Sequence, residues 1–409
     1  MKWAAVAAVN VAAVLVVSPV FASLFLLHGV EDFSAFYTAG VIWHHFRGAS
    51  LYDLHLQMEI LRNLVGRAEL PFYHPPYELL IFAPISLLPY RVALWCWRAV
   101  CVLALIPTSA MLARITDAKL SSRDVFLISV SFFPIMVCLL QGQDSILLLT
   151  IISASAFLYA SGRDAQAGAV LAIGLFKFQF VLPIATILAL RRKGRFTAGF
   201  VAAGSAIVAI SIAMVRWEGA IQFIGLVHAA ESSNTLGVSP VTMVNLHGLL
   251  SAIIKSGIAA NLVTIALSLA IVIFVGLTRQ PQPRSREFAA ATCAAALVSF
   301  HMNPHDMAIL LLPTVIVVAQ LQRHQRFERL TALAFILTPV YLLFLSRSVF
   351  PFFAVLVAAL LWILMRRYPS TSTCQVKSGD PSMVSIEASP SSGKTWGEPW
   401  MRPTPRMPS

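Results

Sequence analysis

This sequence predicts an all-α protein, a bundle of helices that crosses a membrane many times, and three observations carry that reading. Apolar residues make up 58% of the 409 positions and charged residues only 12%, against roughly a quarter charged in soluble domains. Apolar stretches of about twenty residues, the length a helix needs to cross the hydrocarbon core, recur from end to end. Most of the lysines and arginines sit in short turns between those stretches, which is how cytoplasmic loops of membrane proteins are charged. A soluble chain could not cover so much apolar surface, but a bilayer can. The net charge of +12 therefore points to the membrane and not to nucleic acid, which would need the basic residues gathered on one soluble face.

The spacing predicts twelve spans, at about 3–28, 76–89, 91–113, 124–141, 145–160, 165–190, 196–215, 258–278, 287–301, 304–321, 329–346 and 348–365. The first is too long for a signal-peptide core and lacks a small-residue cleavage site before Glu31-Asp32, so it is expected to be retained. The second, from Pro76 to Pro89, is short and weak. It is kept because an even count puts both termini, Arg191 to Arg195, Arg279 to Arg286, Arg323 to Arg329 and Arg366-Arg367 on one side, which is then the cytoplasm. Residues 1–368 form the membrane domain of a plasma (inner) membrane protein. Residues 369–409, rich in Ser, Pro and Thr, are expected to be a disordered cytoplasmic extension.

Two long segments, 29–75 and 216–257, fall on the outer side. Phe33 to Phe46 and Leu54 to Leu64 are amphipathic and are expected to lie along the interface as short helices. Nine of the ten histidines, all except His324, lie in or beside this layer, so polar chemistry is concentrated there. Of the five cysteines, Cys96, Cys101, Cys138 and Cys293 lie in apolar segments and none forms CxxC; they read as packing residues. Walker A, GxGxxG and HExxH patterns are absent, which removes support for nucleotide hydrolysis and zincin chemistry. The halves show no inverted repeat with paired broken helices, which weakens a secondary transporter.

Five clusters could carry chemistry. Glu31-Asp32 follows the first span, where Asp32 could accept a proton from a substrate hydroxyl or simply cap the helix starting at Phe33, with Gly48 ending it; the two roles are compatible. Phe72-Tyr73-His74-Pro75-Pro76-Tyr77 closes the same loop as a stiff aromatic turn. Gln141-Gly142-Gln143-Asp144 interrupts two apolar runs and reads as a tight turn. Lys177 stands near the middle of the sixth span, at an insertion cost of at least about 2.5 kcal/mol, and is expected to face an anion or a wet cavity. In His301-Met302-Asn303-Pro304-His305-Asp306, Asn303 and Pro304 form a helix start that places His305 beside free amides suited to a phosphate. Pro304 breaks the helix between His301 and His305, so they are not expected to bind metal as a pair.

Taken in order, these residues resemble glycosyltransferase family 87, membrane enzymes of the GT-C fold. The resemblance is carried by Asp32, Leu51-Tyr52-Asp53, Tyr73-His74-Pro75-Pro76, Leu87-Leu88-Pro89, Gly142-Gln143, Lys177, Met243-Val244-Asn245-Leu246-His247-Gly248-Leu249 and Asn303-Pro304-His305-Asp306. It implies a hexosyltransferase moving a sugar, often mannose, from a polyprenyl-phosphate donor to a lipid or glycan acceptor on the outer face. Family members often show Tyr-Pro-Pro where this chain has His74-Pro75-Pro76, and Arg where it has His247.

The residues and the resemblance meet in one scheme. Phosphate is a good leaving group, so the site needs a base for the acceptor and cations for the departing phosphate. Asp32 is the expected base. Lys177, His305, His247 and His74 are the expected phosphate contacts, with Glu31, Tyr73, Gln143 and Asp306 in support. No DxD pair is present, so no nucleotide-sugar site, obligatory metal or cofactor is expected. The competing reading is a transporter or lipid flippase using Lys177 and the outer His and Asp residues as a pathway.

Overall fold

The computed structural model describes residues 3–21, 32–46, 48–66, 70–116, 119–232, 240–279, 282–320, 326–343 and 349–366. Glu31, His324 and the 369–409 extension lie outside these residues. The described residues are helical, without strands, as expected for a chain that satisfies its backbone hydrogen bonds inside each segment. In chain order the helices are α1 (Trp3–Phe21), α2 (Phe33–Phe46), α3 (Leu54–Val65), α4 (Leu79–Ile85), α5 (Tyr90–Ile115), α6 (Ser122–Ser131), α7 (Phe133–Gln141), α8 (Ser145–Ala160) and α9 (Asp164–Ala172). They continue with α10 (Phe178–Leu190), α11 (Gly194–Ser232), α12 (Leu246–Ile253), α13 (Gly257–Leu277), α14 (Arg284–Val298), α15 (Leu311–Val318), α16 (Arg326–Ile336), α17 (Thr338–Leu343) and α18 (Phe353–Met365).

Local chemistry sets many of these boundaries. Asp53 caps α3 by accepting from the Leu56 amide at 3.1 Å, and Gly66 closes it at φ 74, a left-handed conformation that suits glycine. Ser121 and Asp124 form a reciprocal capping box at the start of α6. Helices α6 and α7 meet at a bend of 61° just before Pro134. The α2 and α3 segments match the two expected amphipathic helices closely.

Four helical segments are long and apolar enough to cross a membrane: Tyr90–Ile115, Asp164–Leu190, Gly194–Ala229 and Gly257–Leu277. The bent pair α6 and α7 makes a fifth, and five shorter apolar helices accompany them. Contacts sort the helix ends into two groups. One end carries Asp32, His74, Asp144 and His305. The other carries Tyr159, Asp164, Arg191, Lys193, Arg284 and Glu287, where Glu287 meets Arg191 at 3.4 Å, Lys193 at 3.2 Å and the Tyr159 hydroxyl at 2.7 Å, and Arg284 pairs with Asp164.

These contacts revise two of the expected spans. The segment Pro76–Pro89 does not run from one end to the other. Its start is tied to His74 through Glu78, 2.8 Å away, while Tyr90 packs on Phe33 with ring centroids 5.9 Å apart and Tyr37 donates to the Leu88 carbonyl. Both ends of α4 thus stay beside α2, and α4 is a further layer helix. The expected sixth span is a hairpin. A continuous helix over the 27 residues Asp164–Leu190 would be about 40 Å long. Yet a Cβ on Gly168 would lie 2.0 Å from the Phe196 carbonyl oxygen, and Phe196 follows Leu190 by a single short turn. The chain folds back through the 3-10 turn Ile173–Lys177, where Lys177 leaves helical geometry at φ −117, ψ 61. Lys177 is therefore the tip of a hairpin and not the middle of a straight span.

Helix α11 is interrupted at Arg216, whose φ of 62 and ψ of −179 break the helix. Beyond it the helix lies over the loop layer, where Phe223 packs against Tyr52 at 5.2 Å. Gly48 fits under this crossing because a Cβ there would meet the Met214 carbonyl at 2.1 Å.

The two revisions change which loops share a side. Twelve alternating spans with the original boundaries put the 114–123 connection with Asn63. The structure puts it with the 191–195 turn, since the Arg114 guanidinium lies over the Phe157 ring near Tyr159. In a background with Cys96→Ser and Cys374→Ser, impermeant labelling of cysteines at Lys119 and Arg195 should occur from one side of the membrane, and at Asn63 from the other. Joint labelling of Lys119 and Asn63 would overturn the revised topology.

Candidate functional site

A cleft of about 510 Å³ opens at the end that carries Asp32. Three parts of the chain wall it: the loop layer with Asp32, Phe36, Tyr73 and His74; the hairpin tip with Phe176 to Gln179; and the strap from Phe300 to Asp306. Gln141, Gln143 and Val227 of α11 also line it.

Lys177 is almost fully buried and is enclosed by acceptors. Its Nζ lies 2.9 Å from Asp144 Oδ1 and 2.6 Å from Asp306 Oδ1, and it donates to Ser145 Oγ at 2.9 Å. Ser145 in turn donates to Asp306 Oδ1. The expected anion for this lysine is thus supplied, at least in part, by the protein's own carboxylates. Asp306 is used twice, because its Oδ2 accepts from the Asn303 amide at 2.9 Å and closes the helix start at Pro304.

Asp32 sits at the rim, and its Oδ2 accepts a hydrogen bond of 2.7 Å from Gln143 Nε2. Burial pushes its pKa up to about 6; the Gln143 hydrogen bond and the Lys177 charge pull it down, while Asp306 and Asp144 push it up. His305 Nδ1 lies 3.9 Å from the same Asp32 oxygen. That nitrogen donates to Gln141 Oε1 at 2.8 Å, which leaves Nε2 directed at Asp306 Oδ2, 3.6 Å away.

The turn Gln141 to Asp144 organises these contacts. Gly142 adopts φ 67, and a Cβ there would lie 2.7 Å from the Phe33 Cβ, so glycine is required on both counts. Trp97 Nε1 donates to the Gly142 carbonyl at 3.0 Å. From this one turn Gln141 reaches His305, Gln143 reaches Asp32 and Asp144 reaches Lys177. The sequence presented it as an ordinary connection, and only three polar side chains around one glycine hinted at more.

His74 lines the cleft with its ring between Phe36 and Phe72. Burial works against its protonation, but Glu78 and Asp144 outweigh that and raise its pKa above the usual histidine value. Glu78 was not among the residues expected here. Its one sequence signal is the separation of four positions from His74 at the head of an apolar run. Tyr73 and Asp306 also line the cleft. His247 does not. It stacks on Phe300 at 4.4 Å, with Nδ1 2.9 Å from the Phe300 carbonyl and Nε2 3.1 Å from Asn261 Oδ1. Asn245 holds the same strap through the Ser299 carbonyl at 2.6 Å. The segment Met243 to Leu249 therefore braces the cleft wall from behind.

Chemically, the arrangement offers one carboxylate of raised basicity at the rim, a histidine beside it, and a buried ionic knot beneath. Compared with known proteins, the chain matches the family model for glycosyltransferase family 87 over residues 72–304, more than half its length. No curated protein and no solved structure matches it.

Replacing Lys177 by Met should strand Asp144 and Asp306 as unpaired buried charges, with a loss of about 3–5 kcal/mol of stability. Adding Asp306→Asn to Lys177→Met should recover part of it. Denaturant unfolding of the detergent-purified protein measures both, and parental stability of the single variant would show that the knot does not hold the fold.

Proposed function

We propose, from the premise that the chain belongs to glycosyltransferase family 87, that it transfers a sugar from a polyprenyl-phosphate donor to an acceptor hydroxyl at the cleft, with Asp32 as general base. Its family makes the protein a glycosyltransferase; donor, direction and mechanism are our reading. The observation that carries the reading is Asp32 itself, a largely buried carboxylate at the rim of the cleft, with its pKa pushed up to about 6 and His305 at 3.9 Å. A base with that pKa is mostly ionised at neutral pH yet more basic than an ordinary aspartate.

The acceptor hydroxyl gives its proton to Asp32 as its oxygen bonds to the anomeric carbon. The bond from that carbon to the phosphate oxygen breaks, and the lipid phosphate leaves with the electron pair. A single displacement of this kind inverts the anomeric centre. His305 is placed to meet both the base and the departing phosphate. Lys177 and His74 also line the cleft, while His247 serves by fixing Phe300. Mannose is the sugar suggested by the family resemblance.

In the membrane we place the cleft end outward and the basic end, with Arg114, Arg163, Lys193, Arg195 and Arg284, in the cytoplasm of a plasma membrane protein with a GT-C arrangement. Twelve crossings fit still, because the layer helix α4 drops out and the hairpin supplies two. The revised assignment also adds Arg114, Lys119 and Arg123 to the cytoplasmic charge, which the positive-inside rule favours.

Asp32→Asn keeps the shape and hydrogen-bonding oxygen of the side chain but cannot take the proton. Transfer should fall by about 10²- to 10⁴-fold, with donor binding close to the parent, and parental turnover would exclude Asp32 as the base. In the parent, the deprotonated form acts, so kcat/KM should fall as pH drops through about 6 and level off above it. A rate that rises toward acid would contradict a carboxylate base.

A further inference from the structure

Two buried carboxylates beneath the cleft have no part in the scheme above. Glu78 and Asp144 are both fully buried. His74 Nδ1 lies 2.8 Å from Glu78 Oε2 and 3.4 Å from Asp144 Oδ2, and one ligand-type atom from each of the three residues falls within 4.8 Å of the others. These approaches are close without being aligned as hydrogen bonds: among the described residues, His74 Nδ1 and both oxygens of Glu78 have no hydrogen-bond partner. A charged group enclosed in protein with its lone pairs unmatched is strongly disfavoured.

The charge count points the same way. Asp32, Glu78, Asp144 and Asp306 gather around one permanent cation, Lys177, and among the described residues no arginine lines the cleft. Lys177 faces Asp144 through Oδ1, which leaves Oδ2 turned toward His74. The ligand atoms of an imidazole and two carboxylates thus lie within 4.8 Å of one another, beside the cleft that His74 lines. One nitrogen and two carboxylate ligands suit a divalent ion such as Mn²⁺ or Zn²⁺.

We infer that His74, Glu78 and Asp144 form a divalent-cation site beneath the cleft, with His74 Nδ1, the Glu78 carboxylate and Asp144 Oδ2 as ligands. The ion supplies positive charge that the described cleft lining offers only through Lys177, and so eases the approach of an anionic lipid phosphate. It also pins the loop that carries His74 to the Gln141–Asp144 turn that holds Asp32 and His305. This departs from the expectation that the protein needs no metal. The binding claim is independent of the transferase reading, since it is measured with neither donor nor acceptor present.

The test uses the full chain in nanodiscs, stripped with chelator and titrated with Mn²⁺ alone while the free-ion EPR signal is followed. One Mn²⁺ per chain should bind saturably and be displaced by Zn²⁺. His74→Gln and Glu78→Gln should each weaken binding about tenfold or more, while Asp32→Asn and the surface control His55→Gln should bind like the parent. Should Glu78→Gln fail to fold, His74→Gln decides the matter, because His74 stands at the cleft and not in the packed core. Absence of saturable binding of either ion, or binding that survives His74→Gln, overturns the site. Mn²⁺ binding that persists in an Asp32→Asn protein of unchanged turnover would retain the ion and remove only the proposed base.

Discussion

The ammonium of Lys177, held between Asp144 at 2.9 Å and Asp306 at 2.6 Å, is the interaction on which the rest of the cleft end depends. It joins three segments distant in sequence: the tip of the α9–α10 hairpin, the turn before α8 and the helix start at Pro304. A charge in an apolar setting is tolerable only when its partners are fixed and close, so the knot demands that all three segments arrive together. The hairpin meets that demand by breaking its helix at Lys177 itself. Asp306 passes the constraint on, because its second oxygen secures the Asn303 amide and thereby orients the neighbouring His305.

The Gln141–Asp144 turn extends the same constraint to the reacting group. Its three polar side chains contact His305, Asp32 and Lys177 separately, so displacing the turn would move the base, its neighbour and the knot at once. Gly142 is what lets α7 end there against Phe33. Packing thus reaches chemistry in two steps: a left-handed glycine sets the turn, and the turn sets the distance between Asp32 and His305.

Much of the fold was legible because hydropathy and helix length are nearly the same information in a membrane chain. The expected spans 145–160 and 258–278 agree with α8 and α13 to within one residue at each end. What escaped was direction. A run of 27 apolar residues reads alike whether it is one helix or two short ones folded together, and Lys177 signalled a special position without revealing a turn. The weak stretch after Pro75-Pro76 is apolar because α4 packs on α2, not because it crosses. These two misreadings offset each other in the count, which is why the basic turns at 191–195 and 279–286 still fell on the side of the N-terminus. In the site, Asp32, Lys177 and His305 stood out as ionisable residues beside apolar runs, and the structure gathers them. His247 stood out equally, but a histidine bonding a carbonyl behind a wall has the same sequence appearance as one facing a ligand. Glu78 escaped because a carboxylate after consecutive prolines reads as the start of a helix.

The electrostatics of this cleft pull in opposite directions. A base must be desolvated and near other carboxylates to gain proton affinity, and Asp32 gains it from burial, Asp306 and Asp144. The same carboxylates oppose an anionic donor phosphate. Lys177 cannot answer both needs, since the closer it binds Asp144 and Asp306, the less of its field is left for the cleft. The positive charge for the phosphate must then come from a group outside that ion pair, and the divalent ion inferred at His74, Glu78 and Asp144 is so placed, where close approaches lack aligned donors among the described residues. A site of this kind separates its tasks by depth, with the proton acceptor at the rim and the structural ion pair beneath it.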